Sequence, residues 1–204
     1  MCIRDSLKEV PKAKFRLDVN GGWALEEAIA NMQSYETAFG SLIEYIEQPC
    51  ADFADLNSLR NNTGIKIAVD ESIRKYLAGD LTRIKEVADI AIIKWAPTGG
   101  ITAALEVIEK IDLPVVISSA LDSSVGISHG LSLAAAVPNL YGACGLGTVS
   151  LLAGDVTSNS LLPTDGIIKN HKVTPDRIEE FKAESDRQKW WQDRANAIYE
   201  GGSF

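Results

Sequence analysis

Three carboxylates and one lysine end short apolar runs at near-equal intervals. They are Asp18 in Phe15-Arg16-Leu17-Asp18, Glu47 in Tyr45-Ile46-Glu47, Asp70 in Ile67-Ala68-Val69-Asp70, and Lys94 in Ile90-Ala91-Ile92-Ile93-Lys94. Successive members lie 29, 23 and 24 positions apart. A strand, a helix and their two loops take roughly 30 residues, so the interval predicts one charged group at the end of each strand of a β/α array. In a parallel barrel the C-terminal strand ends open on one mouth, where catalytic groups gather. Three carboxylates converging there repel one another unless they share a cation, and an all-oxygen donor set suits a hard divalent ion such as Mg²⁺. Singly, each of the four reads equally well as a solvated charge at a strand end; their common register favours a site.

The elements that must position these groups follow from the hydrophobic pattern. Strands are predicted over 14–18, 43–47, 66–69, 90–94 and 115–117, with a shorter sixth near 140–143. Helices are predicted over 24–38, where Leu25, Ala28, Ile29 and Met32 share a face, then over 53–61, 80–87, from Gly99-Gly100 to about Lys110, and over 124–136 up to Pro138. The unbroken apolar run 90–93 suits a strand buried on both faces, as parallel sheets require. Alternating strands and helices argue for an α/β fold of the barrel type, which closes with eight strands. Beyond Gly154 the pattern changes. Leu162-Pro163-Thr164-Asp165-Gly166 is turn chemistry, a hairpin is predicted across Lys169-Asn170-His171, and a helix over 177–199 that packs through Trp190 and Trp191.

Composition excludes several classes. The chain of 204 residues is 46% hydrophobic and carries a net charge of −8, with no basic stripe for nucleic acid or an anionic membrane. No run of 18 apolar residues marks a transmembrane helix, and the N-terminus lacks a signal-peptide core. Cys2, Cys50 and Cys144 are odd in number and lack metal-ligand spacing. They read as free thiols of a reducing, cytoplasmic compartment, with Cys50 and Cys144 as small core residues. His129, within a helix, and His171, in a turn, have no metal-like companions and read as structural. Oligomeric state is left open.

The strand ends and the residues after them resemble the enolase superfamily, and within it the o-succinylbenzoate synthase family of menaquinone biosynthesis. The matching segments are Arg16–Trp23, Tyr45–Cys50, Ala68–Ser72, Ile93-Lys94, Ile117–Gly126 and Ala143–Thr148, the last resembling actinobacterial-type members. The resemblance spans roughly residues 12–185. It implies a modified TIM-type (β/α) barrel of which this chain holds about six of eight strands, with the N-terminal capping domain absent. It divides the chain into a non-native leader over 1–6, a partial barrel carrying the metal site over 7–154, and a C-terminal hairpin and helix over 155–204.

The resemblance also implies roles. Asp18, Glu47 and Asp70 become ligands of a Mg²⁺ cofactor and Lys94 a catalytic residue. The reaction becomes removal of a proton beside a carboxylate, with a metal-stabilised ene-diolate, then expulsion of water from a small carboxylate substrate. In the family the base is the second lysine of a Lys-x-Lys strand, and Lys94 stabilises the intermediate from the other side. Lys12-Ala13-Lys14 imitates that motif but lies on the strand of Asp18, where Lys14 is about 13 Å lower at ~3.3 Å per residue. The expectation is therefore a fragment without its base, which neither dehydrates substrate nor binds Mg²⁺ tightly. Asn20 touches substrate or makes an Asx-turn. Ser118 and Ser119 donate to a substrate carboxylate or cap the following helix. Gly145 and Gly147 present backbone N–H groups to a carboxylate or make a tight turn. An N-acylamino-acid racemase on the same framework, and a non-catalytic short β/α module, remain as alternatives.

Overall fold

The computed structural model of the chain describes residues 3–201. Cys2 and the first two residues of the expected leader lie outside them. By backbone proximity the chain divides into two compact units: residues 1–120 with 129–146, and residues 121–128 with 147–204.

The first unit opens with a short helix, α1 (Ile3–Glu9), and then alternates strand and helix. Strand β1 (Phe15–Asp18) leads to α2 (Leu25–Phe39), β2 (Ile43–Glu47) to α3 (Phe53–Arg60), and β3 (Ile67–Val69) to α4 (Glu71–Tyr76) and α5 (Ile84–Val87). Strand β4 (Ile90–Lys94) leads to α6 (Trp95–Thr98) and α7 (Ile101–Ile111), and β5 (Val115–Ser118) to α8 (Ser124–Ala136), whose last eight residues belong to this unit. The strands form one sheet in the order β1-β2-β3-β4-β5 with every pair parallel. This is a partial TIM-type barrel, as expected.

The predicted sixth strand is only half formed. Residues 139–145 run parallel to β5 and touch it at two bridges, Val115 with Leu140 and Ser118 with Gly145. Between them Gly142 takes a φ of +68°, which no extended strand tolerates. The chain therefore bows away from β5 and returns.

Register decides what each face carries. Asp18 pairs with Glu47, Glu47 with Ala68, Ala68 with Ile90, and Lys94 with Ser118. Alternation then puts Tyr45, Ala68, Ile90, Ile92 and Val116 on one face, where they pack as a buried cluster against Tyr141. Asp18, Glu47, Asp70, Lys94 and Ser118 stand on that same face at its C-terminal edge. The opposite face carries Ile46, Ile67, Val69, Ala91, Ile93, Val115 and Ile117, all fully buried. The helices bury Met32 of α2, Leu56 and Leu59 of α3, and Ala104, Val107, Ile108 and Ile111 of α7. Each such Ile or Leu is worth about 1.5–3 kcal/mol.

The second unit departs from the sequence reading. Instead of a hairpin across 169–171, a single bridge joins Thr164 and Ile167 around Asp165 and Gly166, both at positive φ. The last helix, α9 (Ser185–Tyr199), begins eight residues later than expected. The side chain of Asp176 accepts from the backbone N–H and hydroxyl of Ser158, and the Arg177 N–H donates to the Val156 carbonyl. Those bonds hold 176–177 against another segment in place of a helical first turn. Trp190 and Trp191 meet edge to face at 4.7 Å, the guanidinium groups of Arg187 and Arg194 lie over the Trp190 ring, and Trp191 is 56% exposed. Among the described residues no helix is long and apolar enough to cross a membrane.

Candidate active site

The site grows from four strand ends of the first unit. Asp18 closes β1, and its carboxylate accepts from the backbone N–H of Asn20 at 2.9 Å and from Asn20 Nδ2 at 3.0 Å. Asp18 is thus the side chain that makes the Asx-turn, and Asn20, at φ +51°, is its donor. Asn20 Nδ2 also reaches Glu71 Oε1 at 3.4 Å, which links the ends of β1 and β3. Both earlier readings of Asn20 put the turn or the ligand on its own side chain; the turn is Asp18's.

Glu47 closes β2 as the Cα partner of Asp18. Burial, then the negative charges of Asp18 and Asp70, push its carboxyl up to about 7, against a smaller pull from Lys94. Asp70 follows β3 and is only 2% exposed. Its Oδ2 accepts from Lys94 Nζ at 2.5 Å, and its Oδ1 lies 3.6 Å from Arg74 Nε of α4. Lys94 closes β4. Burial alone lowers its pKa, but the hydrogen bond and charge of Asp70, with Glu47 and Glu71 beyond, hold it above the ordinary lysine value. It is an ammonium, suited to stabilise negative charge and ill suited to take a proton.

The expected metal geometry is not reached. Among the described residues no three acidic, His or Cys side chains converge as an ion-holding group. The reason is visible in the partners: Lys94 occupies one oxygen of Asp70, and Asn20 occupies the carboxylate of Asp18. Internal donors thus engage two of the carboxylates that a cation would otherwise gather. The chemistry of the set nonetheless fits one. Every donor is a carboxylate oxygen, Glu47 is crowded by like charge, and Glu71 Oε2, one residue from Asp70, is buried without a hydrogen-bond partner. The cluster holds more negative oxygen than its own cations and donors satisfy.

Ser119 Oγ and its backbone N–H both meet the Gly145 carbonyl at 3.0 Å, and Ser118 Oγ lies 3.4 Å from the same oxygen. They fasten the half-formed sixth strand to β5. A Cβ at Gly145 would stand 2.8 Å from Ser118 Oγ, so that hydroxyl would have to turn aside to admit one. Gly147 belongs to the second unit, where it precedes a single turn of 3₁₀ helix over Thr148–Leu151. An added Cβ would meet only Pro163 at an ordinary 3.7 Å, so close approach does not explain it.

Lys14 lies away from these groups. Its Nζ donates to the Ser41 carbonyl in a cavity of about 460 Å³ lined by Glu36, Glu44, Lys66 and Tyr141, residues at and before the N-terminal strand ends. His129 stacks on Trp95 with ring centres 4.9 Å apart, as a structural residue does. Cys50 is buried and its thiol is pushed up to about 11 by that burial, whereas Cys144 is only half-buried; both are free.

Four residues of this neighbourhood were missed from sequence. Gln48, Glu71 and Arg74 knit the strand ends together. Arg16, on the inner face of β1, spans to the sixth segment, donating to the carbonyls of Ala143 at 2.6 Å and Tyr141 at 3.3 Å and to Glu44 at 2.6 Å. Glu71 and Gln48 adjoin the acidic strand-end residues and lie in the matching segments Ala68–Ser72 and Tyr45–Cys50, which is the sequence signal they carry.

Residues 2–176 match the family described as Enolase C-terminal domain-like. The o-succinylbenzoate synthase of Mycobacterium tuberculosis is 48% identical over 186 residues, covering 90% of this chain and 56% of that protein. That of Mycobacterium marinum is 47% identical over 188 residues, with the same shares of 90% and 56%. The chain thus spans little more than half the length of these relatives. Among solved structures, a substrate-liganded L-Ala-D/L-Glu epimerase from Bacillus subtilis matches with a TM-score of 0.73 at 27% identity, over 85% of this chain and 49% of that one. Muconate cycloisomerase from Pseudomonas fluorescens matches with a TM-score of 0.77 at 22% identity, over 89% and 52%, and shares the fold.

Proposed function

Because this chain belongs to the Enolase C-terminal domain-like family, we propose that it carries strand-end machinery of an o-succinylbenzoate synthase. The reaction is loss of water from 2-succinyl-6-hydroxy-2,4-cyclohexadiene-1-carboxylate to give 2-succinylbenzoate, a lyase step of menaquinone biosynthesis in the cytoplasm. The observation that carries this reading is the placing of Lys94, Asp70, Glu47 and Asp18 on one face of the sheet at its C-terminal edge.

A general base, in the family the second lysine of its Lys-x-Lys strand, takes the proton beside the carboxylate to leave an ene-diolate; the electron pair then expels the ring hydroxyl, which receives a proton back from that base and leaves as water. Asp18, Glu47 and Asp70 are the residues that would hold Mg²⁺, which when bound supplies positive charge to the substrate carboxylate. Asp70 would hold the ion with the carboxylate that Lys94 now meets, and Lys94 would set its ammonium against the developing charge. Ser118, on the inner face beside Lys94, is the hydroxyl placed to donate to substrate, while Ser119 and Gly145 hold its segment in position. Asn20 orients the Asp18 carboxylate and so acts on substrate only at one remove. Lys14, bound at the other end of the strands, takes no part.

Epimerisation is the second reading, favoured by the similarity to the Bacillus subtilis epimerase. It asks Lys94 to act as a base, a role for which the lysine would first have to leave the Asp70 carboxylate that raises its pKa. The test is an assay of this chain and of a full-length relative for both dehydration and racemisation of N-succinylamino acids, with wild type beside Lys94→Ala. Dehydration lost on substitution supports the proposal. Racemisation without dehydration in the full-length protein would overturn it.

A further inference from the structure

Gln48 follows Glu47 and is fully buried. Its φ is +41°, a left-handed conformation that a non-glycine residue keeps only where the surroundings over-determine it. Here they do. Nε2 donates to the Cys50 carbonyl at 2.9 Å and to Ser72 Oγ at 2.7 Å. Oε1 accepts from the backbone N–H groups of Asp70 at 3.2 Å and Ser72 at 3.1 Å. The Gln48 N–H donates to the Ala68 carbonyl at 2.8 Å, and its own carbonyl accepts from the Gly21 N–H at 2.6 Å. One residue therefore ties the turn after β1 and the end of β2 to both sides of Asp70.

We propose that Gln48 is a positioning residue that fixes the Asp70 carboxylate relative to Glu47 and Lys94. Glu47 and Asp70 repel each other, so the backbone carrying Asp70 needs a neutral hold that adds no further charge. An amide supplies that hold, because it donates and accepts at once. A glutamate would keep the acceptor and lose both donors; a lysine would lose the acceptor. The inference rests on the proposed function only where metal binding is concerned.

The test compares wild type with Gln48→Gly, which relieves the positive φ and removes the side chain, and Gln48→Met, which keeps the volume and removes the bonds. In protein shown to be folded by cooperative urea unfolding, the acetylation rate of Lys94 by acetic anhydride is measured by mass spectrometry against exposed Lys8. Loss of the bonds that hold Asp70 should free Lys94 and speed its labelling roughly three- to tenfold. Mn²⁺ affinity, measured by calorimetry, should fall in the same variants. A wild-type Lys94 rate in folded variants would overturn the assignment, whatever happens to stability. Faster labelling in variants of a protein that takes up no Mn²⁺ would leave Gln48 as the positioning residue and sink the metal reading instead. If neither variant folds, Ser72→Ala, which removes one partner of the amide, carries the test alone: faster labelling supports the proposal and a wild-type rate overturns it.

Discussion

The decisive residue-scale fact is that Asp70 is buried with Lys94 on its Oδ2. A buried carboxylate that loses its closest cation is expensive, and breaking such a pair by removing one partner costs about 3–5 kcal/mol. Lys94→Met should fall near the lower end, because the lysine side chain is 22% exposed and Arg74 stands 3.6 Å from the other oxygen. Lys94→Arg should recover part of the loss. Urea unfolding at neutral pH measures both; a Met variant as stable as wild type would mean that the ion pair is not formed in solution. Asp155 in the second unit gives the complementary pH prediction. Burial raises its pKa, but the hydroxyl and N–H of Ser124 and the N–H of Val156 outweigh that and hold it below the ordinary aspartate value. A folded pKa below the unfolded one contributes stability that is present above about pH 3.9 and lost as pH falls through the folded value. Asp155→Asn should therefore cost about 1–3 kcal/mol at pH 7 and progressively less as pH falls below the unfolded aspartate value, as guanidinium unfolding over a pH series will show. A cost that does not change with pH would remove ionisation from the account.

At the scale of elements, the central strands carry stability and the last segment carries little. Ile93, fully buried between β3 and β5, should cost about 2–5 kcal/mol when cut to Ala. Ile167, 64% exposed beside its two-residue turn, should change stability by no more than about 0.5 kcal/mol. Denaturant midpoints of the two variants check this, and a large effect at Ile167 would mean that the turn is covered in solution. Strand positions were legible because each is a short run rich in apolar residues, and four of the five end in or run into a charged residue. The start of α9 was not, because Asp176 and Arg177 exchange a helical first turn for bonds to Ser158 and Val156, partners that no local pattern announces. The sixth strand failed for a different reason: Gly142 sits inside an otherwise plausible run and only its positive φ reveals the break.

At the scale of the molecule, the longest-range polar link in the first unit is Arg16 to the carbonyls of Tyr141 and Ala143, across 125 and 127 positions of sequence. It joins the first strand to the half-formed sixth. Arg16→Met should leave those carbonyls and Glu44 without their donor, costing about 1.5–3 kcal/mol, and should speed hydrogen exchange at Tyr141 and Gly145 before any other strand opens. Exchange that rises uniformly through the sheet would instead mean that the whole unit has been destabilised. The same comparison separates what is written locally from what is not. Amphipathic period, apolar runs and terminal charges are properties of neighbouring residues, so the α/β alternation and the candidate groups Asp18, Glu47, Asp70 and Lys94 stood in the sequence by themselves. Which of them touch depends on strand register and on turns that take positive φ, and these set distances between residues some 24 positions apart. Only the tertiary structure could decide that Lys94 rests on Asp70, that Asn20 serves Asp18, and that Gln48 holds the strand ends together. Hydrogen bonds form between groups brought near by folding, and sequence spacing alone does not bring them near.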